Sequence, residues 1–191
     1  TSTTNVSTFG GVTGISTANG TVTLVSAGTI TLTSAITGGN SGAVSLTSTA
    51  GQINDGANDA NADITTAGAV SLTAATGIGA NNGSVDLSTA TVTLATTVTG
   101  GITLNNLITS TFTDVNTTGA GNILVTAAGA TIFSSVSSND GSVTLTVTSG
   151  DLTATSVTAG GTNNVALTTS TSGNVLLGVV TAANDVVTIT A

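Results

Sequence analysis

A phrase led by glycine organises this chain. Gly20-Thr-Val-Thr-Leu-Val-Ser26 returns as Gly28-Thr-Ile-Thr-Leu-Thr-Ser34, Gly42-Ala-Val-Ser-Leu-Thr-Ser48 and Gly68-Ala-Val-Ser-Leu-Thr-Ala74. Each copy places a β-branched residue two positions before a leucine, with Thr or Ser between them, which is the period of a half-buried strand. Val22 and Leu24 are therefore expected to face in, and Thr21 and Thr23 to face out. The leading β-branched residue of the later copies falls at Ile102, Ile123, Val143, Val165 and Val186, at intervals of 21, 20, 22 and 21. A repeat of this length with no helical segment marks a parallel β-solenoid, in which no coil buries its apolar face alone and each neighbour supplies the core of the next.

We therefore expect an all-β chain, a single segment over residues 1–191, with about nine coils of roughly 21 residues and two or three short strands in each. At a ladder spacing of about 4.8 Å this gives a rod roughly 40 to 45 Å long. Val22 to Val44 is 22 residues, whereas Val44 to Val70 is 26. The longer interval reads as a coil carrying an inserted Asn/Asp loop at 54–63. Between Val70 and Ile102 the period does not divide cleanly, because Val85 and Val92 compete as strand leaders. Residues 1–19 read as an irregular first coil. Two tandem β-sandwiches of about 95 residues are the alternative fold, which the near-21 repeat and the scarcity of aromatic residues fit poorly.

Composition supports the same reading. The 191 residues include 45 Thr, 21 Ser and 25 Gly, and there is no Lys, Arg, His, Glu, Cys, Met, Trp, Tyr or Pro. The long unbranched side chains that favour helix are almost absent, so essentially no helix is expected. The apolar share of 39% and mean hydropathy of +0.50 set the chain apart from disordered low-complexity sequence. Glycine and asparagine suit abrupt corners, and proline, which cannot donate to a ladder, is missing.

The eight charges are all Asp, giving −8 with no cation. That excludes the basic footprint of nucleic-acid binding and of anionic-lipid binding. No apolar run is long enough to cross a bilayer, so no membrane insertion is expected. There is no secretory leader pattern and no initiator Met, and we read the chain as an internal segment. Lack of Lys and Arg removes every trypsin-type cleavage site, which fits an extracellular or cell-surface setting.

The pattern Gly-x-Val-x-Leu-Thr-x followed by Gly-x-Ile-x-Leu, carried by residues 20–34, 42–48, 83–89, 101–106 and 141–147, resembles the repeat region of large bacterial surface proteins of the filamentous-haemagglutinin and autotransporter adhesin type. The likeness covers most of residues 20–191. It implies a right-handed β-solenoid (β-helix) shaft on the cell exterior. Such shafts usually carry some Lys, Arg and Tyr, and their secretion domain is not visible in this sequence, so an S-layer or extracellular filament protein is the alternative lineage.

Candidate chemistry is sparse. Asp59, Asn61 and Asp63 place oxygen ligands at alternating positions with Asp55 nearby, a donor set suited to a hard cation such as Ca²⁺. An EF-type loop would carry Gly after Asp63 and an acidic residue near position 70, where Ile64 and Val70 stand. The competing reading is a solvated loop of Asx turns. No His, Lys, Cys, Tyr or Glu is present to activate any of the 66 hydroxyls, so we expect no enzyme. The outward threonines at 21/23, 29/31/33, 91/93 and 144/146/148 read as ordinary exposed strand faces, although a flat threonine face is also how solenoid antifreeze proteins resemble an ice lattice. Asn5, Asn19, Asn82 and Asn116 fit the N-glycan acceptor pattern by chance in so Thr-rich a sequence. Phe9, Phe112 and Phe133 read as core plugs.

The expected function is structural: a segment of an extracellular bacterial fibre, filament or adhesin stalk built of stacked β-coils, which self-associates end to end or continues into further repeats. The alternative is a binding module for a glycan, a surface or ice on the same scaffold.

Overall fold

The computed structural model describes residues 14–79 and 83–191, together with the backbone of strands Thr4–Val6, Thr8–Phe9 and Val12–Thr13. It is a parallel β-solenoid. Among the described residues there is no helix, and one strand pairing is antiparallel, that of Thr8–Phe9 with Val12–Thr13. Phe9, Asn5 and Asn82, singled out in the sequence, lie outside the residues whose side chains are described.

The longest ladder stacks nine strands: Ile15–Ser16, Ile36–Gly39, Ile64–Thr66, Val85–Ser88, Ile102–Asn106, Ile123–Ala127, Val143–Val147, Val165–Thr169 and Val187–Thr190. Nine rungs make about eight turns, close to the expected nine coils, and a rod of about 40 Å. A second sheet runs beside it through Val22–Ser26, Val44–Ser48, Val70–Ala74, Thr91–Thr97, Val115–Ala120, Val136–Asp140 and Leu152–Ala159, with Val175–Ala182 on its last rung. A third side begins as the short ladder Thr4–Val6, Ile30–Leu32 and Ile53–Asp55.

The alternation read from the sequence is the alternation of burial. Val44–Ser48 and Val70–Ala74 both have their first, third and fifth residues buried. Val22 stacks on Val44 and Val44 on Val70 in register, so the 26-residue interval is one coil with extra chain between two aligned strands. Asn54 and Asp55 belong to strand Ile53–Asp55, so the insertion proper is 56–63. Before residue 20 the described strands are Thr4–Val6, Thr8–Phe9, Val12–Thr13 and Ile15–Ser16. The interval after Val165 is 22, not 21: Val165 aligns with Val187, and the carbonyl of Val186 accepts the Val165 N–H at 3.0 Å.

The stretch that resisted division is where the cross-section is rearranged. Val85 leads the strand Val85–Ser88 on the longest ladder, and Val92 is the second residue of Thr91–Thr97 on the second sheet. Ile78 bridges Ile53 below and Ile102 above, which ends the early third side. From there on the third side is Ser110–Phe112 and Thr131–Phe133, which join the second sheet through Thr91 and Val92. A register shift after Val70 aligns Ser71 with Leu94 and leaves Thr93 as the extra residue of a bulge, the device by which a strand bends.

Candidate functional site

The insertion 56–63 closes the corner between Ile53–Asp55 and Ile64–Thr66; it carries Asp59, Asn61 and Asp63 of the residues predicted as cation ligands, and Asp55 ends the strand before it. Asp55 is 2% exposed, and its Oδ1 accepts the N–H groups of Ala57 and Asn58, both at 2.8 Å. This is an Asx turn, and Asn58 follows it at φ 51, a left-handed conformation that Asn tolerates better than most residues. Asp59 and Asn61 are exposed, and Asp59 Oδ1 accepts the Asn61 N–H at 2.8 Å. Asp63 is buried, and its Oδ2 accepts the N–H of Asp86 at 2.9 Å. The structure thus separates the predicted set into two buried carboxylates, Asp55 and Asp63, and an exposed pair, Asp59 and Asn61. Among the described residues no group of three or more carboxylates is placed to hold a metal ion.

Asp86 is the residue that sequence reading missed. It lies one coil above Asp63, is 1% exposed, and its Oδ1 accepts the Ser84 hydroxyl at 2.7 Å and the Asn105 amide at 3.1 Å. It stands 23 residues after Asp63, in the stretch where the repeat does not divide cleanly, so spacing alone did not place it. Asn58 reaches the same upper corner, where its Oδ1 would meet a side chain at position 83; that position is Gly, at φ 101. Burial above all, joined by the charges of Asp55, Asp86 and Asp59 and opposed by the hydrogen bond from the Asp86 N–H, raises the Asp63 carboxyl to about 7. With no cation anywhere in the sequence, a proton is the neutralising partner this chain itself provides for.

A second feature is a surface depression of about 470 Å³ on the third side, lined by Thr109, Thr111, Ala130, Ile132, Asp151 and Thr153 among others. Thr111, Ile132 and Thr153 stand one above another in register. Asp151 is engaged here, its Oδ1 accepting the backbone and side-chain N–H groups of Asn174. A third feature is an outward column on the longest ladder, Asn105, Thr126, Thr146, Thr168 and Thr190, which runs over five rungs without a bulge.

Of the sugar-acceptor asparagines, Asn19 is exposed, whereas Asn116 is half buried, with its Oδ1 accepting the Thr96 hydroxyl and its Nδ2 donating to Asp114. Phe112 and Phe133 are fully buried, as core plugs should be. Among the described residues no helix is long and apolar enough to cross a membrane. The fold is that of repeat-built solenoid proteins; the chain itself matches no protein-family model, no curated protein and no solved structure.

Proposed function

We propose that this chain is a shaft segment of an extracellular bacterial fibre or adhesin stalk, a rod whose work is mechanical and whose partners are further β-coils met end to end. The observation that carries the reading is the run of rungs from Ile102–Asn106 to Val187–Thr190, each aligned with the next without a register shift. A parallel ladder of this kind spreads axial load over many short hydrogen-bonded strands and sets length by coil number. The resemblance to filamentous-haemagglutinin-like shafts, and the lack of any tryptic site, support the exterior setting. Immunogold electron microscopy of the source cells with an antibody raised against this chain tests it. Gold along surface or released fibres is the expected result, and label confined to the cytoplasm overturns the reading.

A second reading, a binding module, draws on the five-rung Asn/Thr column and on the depression around Ile132. It predicts saturable binding to an array of neutral glycans or inhibition of ice recrystallisation. Absence of both removes it.

A further inference from the structure

Ile132 interrupts a column of threonine. On the third side it stands in register between Thr111 and Thr153, pointing outward and 44% exposed. The depression of about 470 Å³ opens around it and also takes in Ala90, Ala130 and Asp151, all exposed. Thr131 aligns with Leu152, so Ala130 and Asp151 occupy the same corner of successive coils, and a methyl at 130 fills little of the space beside the carboxylate. This is a side wall of the solenoid, with the strand Thr91–Thr97 paired below it and Val175–Ala182 above.

One charge lines the depression, and its two oxygens differ. Asp151 Oδ1 accepts the backbone N–H of Asn174 at 2.8 Å and its Nδ2 at 3.1 Å, which orients the carboxylate, whereas Oδ2 takes no donor from the described residues. The sequence holds no Lys or Arg to supply one. An occupant that complements this arrangement carries a single positive charge on an apolar stem, the stem against Ile132, Ala130 and Ala90 and the charge at Oδ2. A polyamine brings several charges to a depression lined by one carboxylate. A guanidinium pairs best with both oxygens of a carboxylate at once, and Oδ1 is already taken twice. An ammonium needs one oxygen, and a lysine stem lies along apolar surface while its head stays in water.

We propose that the third-side depression binds a lysine side chain of a basic partner protein, its ammonium on Asp151 and its methylenes on Ile132. The proposal goes beyond both readings of function, because a shaft and a binding module could equally carry such a contact. A single exposed ion pair contributes little, so the contact is weak when one lysine is presented alone, and it weakens further as salt rises.

Titration of the isotope-labelled 191-residue chain with a capped lysine peptide, and with its arginine and norleucine counterparts, followed by nitrogen–proton correlation NMR, tests the proposal. The expected result is saturable shifts at Ala130, Ile132, Asp151 and Thr153 with the lysine peptide, weaker binding of the arginine peptide and none of the norleucine one. Asp151→Asn keeps an acceptor for Asn174 and should weaken lysine binding about fivefold. Ile132→Thr, which continues the threonine column, should weaken it as well, and Asp140→Asn, at an exposed corner outside the depression, should leave it unchanged. No saturable shift, shifts spread equally over Asp59, Asp140 and Asp185, arginine or spermidine binding in the depression as tightly as lysine, or a folded D151N that binds as the parent does would each overturn the assignment. The peptide comparison uses the parent chain alone, so it does not depend on any variant folding. None of these outcomes bears on the shaft reading, which the gold labelling tests.

Discussion

Asp63 on one coil accepts the backbone N–H of Asp86 on the next at 2.9 Å, and both carboxylates are buried. The bond joins two neighbouring coils at the one corner where the chain has been lengthened, and it does so with a group whose ionised form the surroundings disfavour. Burial and the three neighbouring carboxylates raise Asp63 from 3.8 to about 7. In the folded state it therefore holds a proton that the unfolded chain has released, so stability falls as pH rises from about 4 through about 7 and is fully present below that window. Asp63→Asn keeps an acceptor for the Asp86 N–H and removes the titration. Urea melts at pH 5 and pH 8 should show the parent losing on the order of 3 kcal/mol between them and the variant losing much less. Equal pH dependence in the two proteins would refute this.

Phe112 and Phe133 stack with ring centroids 5.2 Å apart and planes 20° from parallel, in a column that continues to Ala154. They are the largest fully buried side chains, set among aliphatic neighbours. Phe133→Ala leaves a void between two coils that the ladders above and below prevent from closing, and should cost about 3 to 5 kcal/mol. Thermal unfolding followed by circular dichroism reads this directly.

Asn106 occupies an inward position between Leu87 and Ala127 and is 0% exposed. Its Nδ2 donates to the carbonyls of Thr89 and Ile108 at 3.0 and 2.9 Å, and its Oδ1 accepts the Thr89 N–H at 3.2 Å. The side chain thus serves three backbone groups where the cross-section is being rearranged. Asn106→Ala strands those groups, and we expect a loss of about 3 kcal/mol with an unchanged denaturant slope. A loss below 1 kcal/mol would mean that water replaces the amide without penalty.

Glycine at the corners is required by packing along the axis. A Cβ on Gly121 would overlap the Gly100 carbonyl of the coil below, whereas one on Gly20, in the first such corner, meets nothing nearer than 3.5 Å. Gly121→Ala should therefore destabilise by about 2 kcal/mol or more, while Gly20→Ala should be neutral or slightly stabilising. Equal effects at the two positions would show that backbone freedom, not close approach, selects glycine here.

Buried hydroxyls are tied to these same corners. Ser48 donates to the Gly28 carbonyl at 2.7 Å and Ser138 to the Gly121 carbonyl at 2.8 Å. It is the corner carbonyl that fixes where these inward hydroxyls stand. Ser138→Val should cost about 1 kcal/mol, because the half-buried Gly121 carbonyl loses the shorter of two hydroxyl contacts and keeps that of Thr117. A double-mutant cycle with Thr117, whose hydroxyl also reaches Gly121 O and Ser138 Oγ, should show coupling.

Strand identity, the inward columns and the parallel stacking were legible in the sequence because each coil packs only on its neighbours, so the period itself is a record of contact. Val22, Val44 and Val70 show it: three residues spaced unevenly along the chain lie in one column, and the inserted loop was visible as the difference. What the sequence left open is which side of the coil a segment takes when the corners change. Ile78 bridging Ile53 to Ile102, the bulge at Thr93 and the arrival of Asp86 over Asp63 follow from the angles of turns that Gly, Asn and Ser all permit. The period determined what stacks on what along the axis. The corner geometry, which only the folded chain fixes, determined which side chains meet around it.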